Sequence, residues 1–114
     1  MFFVKIKFLK RGNTLIVHLC GELDHHSCEY VKRKLACELI KAGTKNLIFN
    51  MEQLTFMDSS GIGILVGRIK EIQKLQGKTA LVYLSNSVRK ILELSGILQL
   101  VNAYENIDEA IKTM

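Results

Sequence analysis

Proline and tryptophan are absent from this 114-residue chain, and cysteine occurs three times. Without proline, no helix is forced to kink, and element ends fall to glycine and to Ser, Asn and Asp caps. Cys20, Cys28 and Cys37 cannot all pair within the chain, form no C-x-x-C, and lack zinc-finger spacing. They read as small apolar fillers, in keeping with a reduced, cytoplasmic setting. No apolar run reaches the ~20 residues of a membrane-spanning helix, so no membrane partner is expected. The opening Met1-Phe2-Phe3-Val4-Lys5-Ile6-Lys7 alternates apolar and basic residues. That order suits a strand and does not follow the plan of a signal peptide. Repeats, low-complexity tracts and linkers are also missing, so one domain over residues 1–114 is expected.

What is present suits a soluble fold with a real core. Hydrophobic residues make up 48% and charged residues 24%, a balance that folds at this length without metal or disulfide staples. The formal net charge is +5. The cations are dispersed, with Lys32-Arg33-Lys34 the densest cluster, and aromatics do not interleave with them as a single-strand stacking platform requires. A solvated surface accounts for them, and no direct nucleic-acid partner is expected.

Periodicity orders the elements. Phe3 to Leu9 and Thr14 to Cys20 are β-rich around the turn residues Arg11-Gly12-Asn13, a hairpin. In the second run Leu15, Val17 and Leu19 face one way and Ile16, His18 and Cys20 the other, which predicts a strand covered on both sides. Gly21 to His26 reads as a loop, Ser27 as the cap of a helix to about Ala42, and Gly43 as its stop. Asn46 to Met51 is a strand and Glu52 to Ser59 a connector. A helix from about Ser60 to Gln76 carries an apolar stripe of Ile62, Leu65, Ile69, Ile72 and Leu75. Thr79 to Leu84 is a strand, a short helix runs through Leu94, and Leu98 to Val101 is the last strand. Asn106 and Glu109 form a capping pair for a helix from Ile107 to Met114. The order β-β-α-β-α-β-α-β-α implies an α/β fold: a mixed, mostly parallel sheet with one antiparallel edge strand and about four covering helices.

Chemistry concentrates in Met57-Asp58-Ser59-Ser60-Gly61-Ile62-Gly63, two hydroxyls and a carboxylate at a strand-to-helix turn. One reading is plain capping, in which Asp and Ser satisfy unpaired backbone N–H groups. The other uses the same positive helix end, which tolerates a phosphate, and makes a hydroxyl there a phosphoacceptor. Both stay open at this point. Nucleophile-elbow, P-loop and dinucleotide patterns all fail: Met57 and Asp58 precede the serines, no G-K-[ST] follows, and residue 66 is Val66. Asp24-His25-His26 reads as a polar loop and not as a metal set, since adjacent histidines diverge on regular structure. His18, in an apolar strand, reads as a satisfied core or surface residue. No cofactor or metal is expected.

Two segments together resemble a known family. Gly21-Glu22-Leu23-Asp24-His25-His26 and Phe56-Met57-Asp58-Ser59-Ser60-Gly61-Ile62-Gly63, with the opening hairpin and Leu94-Ser95-Gly96, are similar to the signatures of the STAS-domain anti-anti-sigma factors. The similarity is strongest to the branch used by spore-forming bacteria. It implies a non-enzymatic protein that binds an anti-sigma factor serine kinase and frees a sigma factor for sporulation transcription; separately, the chain is expected to be a monomer. It implies phosphorylation on Ser59, with Ser60 the runner-up, and reversal by a serine phosphatase. It carries Asp24 over as the loop aspartate beside that serine, and Asp58, Ser60 and Gly61 as flanks of the partner-binding motif. Two alternatives share the fold: a STAS component of another partner-switching, stress-signalling complex, and a small-ligand or nucleotide-binding STAS domain.

Overall fold

A computed structural model describes residues 4–114. The expected strand start at Phe3 lies outside the described residues. Strands β1 (Val4–Arg11) and β2 (Thr14–Leu23) form an antiparallel hairpin. Then follow α1 (Cys28–Ala42), β3 (Asn46–Met57), α2 (Ser59–Lys74), β4 (Thr79–Val82), α3 (Asn86–Ser95), a 3-10 turn (Ile97–Gln99), β5 (Asn102–Tyr104) and α4 (Ile107–Lys112). The sheet runs β1-β2-β3-β4-β5 in space, and every pair after the hairpin is parallel. Each right-handed crossover advances one strand in the same direction, so α1, α2 and α3 all land on one face. This is the mixed, mostly parallel α/β fold read from the sequence.

The main core lies between that face and the three helices. Leu15, Val17, Leu19, Leu47, Phe49 and Leu81 from the sheet meet Val31, Leu35, Leu65, Ile69, Val88 and Leu92, all buried. Fully burying side chains of this size contributes about 1.5–3 kcal/mol each, the main favourable term for the fold. Among the described residues, the opposite face is covered at one end, where α4 closes a smaller cluster of Ile16, Ile48, Ala80, Val82 and Ala110. The expectation that β2 is covered on both sides therefore holds for Ile16 and not for His18 and Cys20, which stay partly exposed. A six-residue helix is too short to reach them. They bond sideways instead: the His18 ring nitrogen lies 3.1 Å from the Asn50 amide, and the Cys20 thiol donates to Gln53 at 3.1 Å.

Other expectations are corrected. Residues Glu52 to Met57 are not a connector: β3 continues through them, and β2 continues to Leu23, with Gly21, Glu22 and Leu23 paired to Leu54, Phe56 and Met57. Two register shifts in this pairing break the two-residue alternation, so buried positions fall at Met51, Leu54 and Met57. The last strand is not Leu98–Val101. Ile97 and Val101 bury one turn apart as the chain makes its 3-10 bonds, and β5 follows directly at Asn102–Tyr104. β4 stops at Val82 because Tyr83 adopts φ 58°. In α2 the buried stripe is Gly61, Ile64, Leu65, Ile69 and Ile72, whereas Leu75 is exposed. Gly43 does end α1, at φ 61°, donating to the Leu39 carbonyl. Asn106 caps α4 by accepting the Glu109 N–H at 2.8 Å, and the Glu109 carboxylate reaches back to the Glu105 N–H.

Candidate functional site

The parallel pairing of Leu23 with Met57 sets the C-terminal ends of β2 and β3 side by side. The chain leaves both strands at the same edge, where sites form in sheets of this kind. Two loops therefore meet there: 24–27 ahead of α1, and Asp58 ahead of α2.

Asp58 is the joint between them. One carboxylate oxygen accepts the N–H of Ser60 at 2.9 Å and of Gly61 at 3.3 Å, which caps α2. The other accepts the N–H of His25 at 3.1 Å, across the gap to the neighbouring loop. The Asp58 N–H in turn donates to the Leu23 carbonyl at 3.3 Å. The capping reading of this segment is therefore realised by the aspartate, which leaves both serine side chains available for something else. Helix α2 starts one residue earlier than expected, at Ser59.

Ser59 is exposed on the first turn of α2, at the positive end of the helix. Ser60 is half-buried and turns toward α1. Gly61 is buried, and its role is steric: a Cβ there would stand 2.7 Å from both the Leu23 carbonyl oxygen and the Met57 side chain. The tight approach of α2 to the end of β2 needs a residue without a side chain.

Asp24 organises the other loop. One of its carboxylate oxygens accepts the N–H of His26 and of Ser27, each at 3.0 Å. Asp24 thus closes the turn into α1, and Ser27 does not perform the capping expected of it. The Ser27 side chain makes no cap bond to the helix; buried, it donates to the Glu22 carbonyl at 3.0 Å and accepts the Asp24 N–H at 3.1 Å. Desolvation pushes the Asp24 carboxyl up, but hydrogen bonds from the Ser27 backbone and hydroxyl and the His26 backbone, with the charge of His26, outweigh it. The net result is a carboxyl below its ordinary value, one that stays ionised.

The structure brings the two loops together through the Asp58–His25 bond, which joins the neighbours of Ser59 and Asp24 directly. Phe56, which opens the second signature segment, lies in β3 and not in a connector, and is 46% exposed beside this edge. The sequence reading also placed the turn into α1 on Ser27, whereas Asp24 closes that turn by accepting the His26 and Ser27 N–H groups. Among the described residues, no group of three His, Cys, Asp or Glu is placed to hold a metal ion, and no helix is long and apolar enough to cross a membrane.

An exposed serine behind a capping aspartate, on an edge formed by two joined loops of a β-β-α-β-α sheet, defines a class. The family model described as STAS domain matches residues 5–110. The chain belongs to the STAS-domain family of anti-anti-sigma factors. Within that family it is similar to the anti-sigma F factor antagonist of Lysinibacillus sphaericus, 38% identical over 74% of this chain and 72% of that one. It is also similar to the anti-sigma F factor antagonist of Paenibacillus polymyxa, 31% identical over 90% and 88% of the two chains. Among solved structures, the phosphorylated form of the Bacillus cell-fate determinant SpoIIAA is 33% identical, with a TM-score of 0.70, covering 96% of this chain and 97% of that one.

Proposed function

We propose that this chain is a single-domain, cytoplasmic, phosphorylation-switched antagonist of an anti-sigma factor that is also a serine kinase. The unphosphorylated chain binds that kinase through Asp24, Asp58, Ser59, Ser60 and Gly61 and so releases a sigma factor, here one that drives sporulation. The kinase moves the terminal phosphoryl group of ATP to the Ser59 hydroxyl oxygen, with ADP leaving and the hydroxyl proton passing to a base of the kinase. A serine phosphatase hydrolyses the ester and restores binding. The chain is the substrate and the switch, and supplies no catalytic group.

The observation that carries this reading is the exposure of Ser59 on the first turn of α2 while Asp58, and not a serine, occupies the capping position. Ser59 is therefore free for modification without loss of the helix cap, whereas Ser60 is half-buried. The likeness to two anti-sigma F factor antagonists and to a relative solved in a phosphorylated form supports the same assignment.

The switch is local electrostatics. A phosphoserine carries roughly −1.5 to −2 charge at neutral pH. The N-terminus of α2 accepts part of that charge, so the fold has no need to rearrange. A partner fitted to a neutral hydroxyl meets instead a hydrated dianion beside Asp58 and Asp24, and the cost of desolvating it ends binding. Incubation with the host bacterium's anti-sigma kinase and ATP, followed by tandem mass spectrometry, should place phosphate on Ser59. Phosphate on Ser60 alone would overturn the assignment. In pull-downs Ser59→Ala should hold the kinase persistently and Ser59→Asp weakly; equal retention rules out a charge switch.

A further inference from the structure

The sheet face opposite α1, α2 and α3 holds a hollow of about 420 Å³ over β1, β2 and β3, next to the end that α4 covers. The strand register places its side chains. Lys7 pairs with His18 and His18 with Asn50, so the three stand in one row across the strands. Their chain neighbours Phe8, Val17, Leu19, Phe49 and Met51 pack into the main core, which turns the row outward to the open face. Leu9, 52% exposed, borders the row on β1, and Glu52 borders it on β3.

Asparagine is disfavoured in the middle of a strand, where branched and aromatic residues pack better. Asn50 is nevertheless only 6% exposed, and its bonds fix the chemistry beside it. Its Oδ1 accepts the Glu52 N–H at 3.0 Å, which settles which way the amide lies. Its Nδ2 therefore donates to His18 Nδ1, 3.1 Å away. A neutral imidazole that accepts at Nδ1 carries its proton at Nε2. That Nε2–H points away from Asn50, and no described residue accepts it. The same tautomer leaves no lone pair at Nε2 for a metal ion, so the open nitrogen suits a hydrogen-bond acceptor. The irregular register at Glu52 explains the use of the Asn50 carbonyl. It does not explain a histidine held with its donor turned to the hollow.

Charge at the hollow is mixed, but it is ordered. Lys7 stands on β1 and Glu52 on β3, two strand spacings or about 9.6 Å apart. Neither makes an ion pair with a described residue. Net charge therefore selects no ligand here, whereas position does. One end offers the Lys7 ammonium and the His18 Nε2–H, and the other offers the Glu52 carboxylate. A simple acid meets a like charge at Glu52, and a simple amine meets one at Lys7.

We propose that this hollow binds a small zwitterionic amino acid with an apolar side chain. Its carboxylate accepts from Lys7 Nζ and His18 Nε2–H, its ammonium donates to Glu52, and its side chain lies on Leu9. The hollow and α2 are on opposite faces of the sheet, so this site is separate from the Ser59 edge and does not rest on the antagonist reading.

The test is titration of the isotope-labelled chain, followed by amide NMR, with three probes of matched shape. These are L-leucine, 4-methylpentanoate, which lacks the ammonium, and 3-methylbutylamine, which lacks the carboxylate. L-leucine should shift the amides of Lys7, His18 and Asn50 in a saturable way, and each truncated probe should bind at least about tenfold more weakly. Lys7→Met and Glu52→Gln change exposed side chains and should leave the fold intact by circular dichroism. Each should weaken L-leucine binding by at least about tenfold. His18→Phe, which removes the fixed donor, should do the same. No shift at about 10 mM L-leucine, tenfold above a Kd of about 1 mM, would overturn the proposal. So would equal binding of L-leucine and 4-methylpentanoate, or binding unchanged in both Lys7→Met and Glu52→Gln. Shifts of the same amides on raising protein concentration without any probe would assign the face to a second copy and overturn it as well.

Discussion

Gly61 and Gly67 lie on the same helix, less than two turns apart, in opposite surroundings. Around Gly61 the molecule is closed: the Leu23 carbonyl and Met57 press against the position where a Cβ would stand, and the adjacent N–H groups bond to Asp58. Around Gly67 the molecule is open. The first glycine is kept by the fold, and the second is not. The start of α2 is thus a rigid joint that holds Ser59 in place, and its middle is surface left uncovered.

The contrast breaks most visibly under substitution. Gly61→Val should cost about 3 kcal/mol in urea denaturation, because the clash involves backbone and not a flexible side-chain tip alone. Gly67→Val should cost only the helix propensity difference, close to zero against glycine. Equal costs would erase the distinction. Asp58→Ala comes next, at about 1–2 kcal/mol, since it removes a helix cap and the partner of the His25 amide together. Hydrogen exchange should show His25, Ser60 and Gly61 losing protection as a set; loss at Ser60 and Gly61 alone would mean the two loops are not joined. Gly67→Ala should stabilise the fold by about 1 kcal/mol.

The smallest effect concerns pH. The Asp24 carboxyl titrates below its ordinary value, so its contribution is fully present above the unfolded-state pKa of about 3.9 and is lost as pH falls through the lower folded value. Amide exchange at His26 and Ser27 should stay slow down to that window and quicken inside it. Quickening that begins well above pH 4 would contradict the hydrogen-bond assignment.

Legibility from sequence followed local regularity. The hairpin, α1 with its Gly43 stop, and the Asn106–Glu109 cap were readable because each depends on neighbours a few residues apart. The far halves of β2 and β3 were not, because two register shifts remove the alternation that marks a strand. The run Ile97–Val101 was misread because four apolar residues in five look like a strand whether they pair with a neighbour or bury through one turn. At the site, Asp24, Asp58, Ser59, Ser60 and Gly61 were singled out from the two motifs. That Asp58 bridges two loops and that Gly61 faces inward depend on contacts about 33 to 38 residues apart, which no local pattern encodes. The asymmetry of the sheet, with three helices on one face and a short one on the other, follows from strand order and so was hidden until the topology was known.

In the proposed switch, phosphate on Ser59 ends docking while leaving the fold intact. This is tested most directly by titrating the anti-sigma factor into two preparations of the chain, one unmodified and one fully phosphorylated on Ser59, with circular dichroism to verify that both are folded. The phosphorylated chain should bind at least about thirtyfold more weakly, the lower end expected for an uncompensated charge placed in an interface. Equal affinity of two equally folded forms would contradict it.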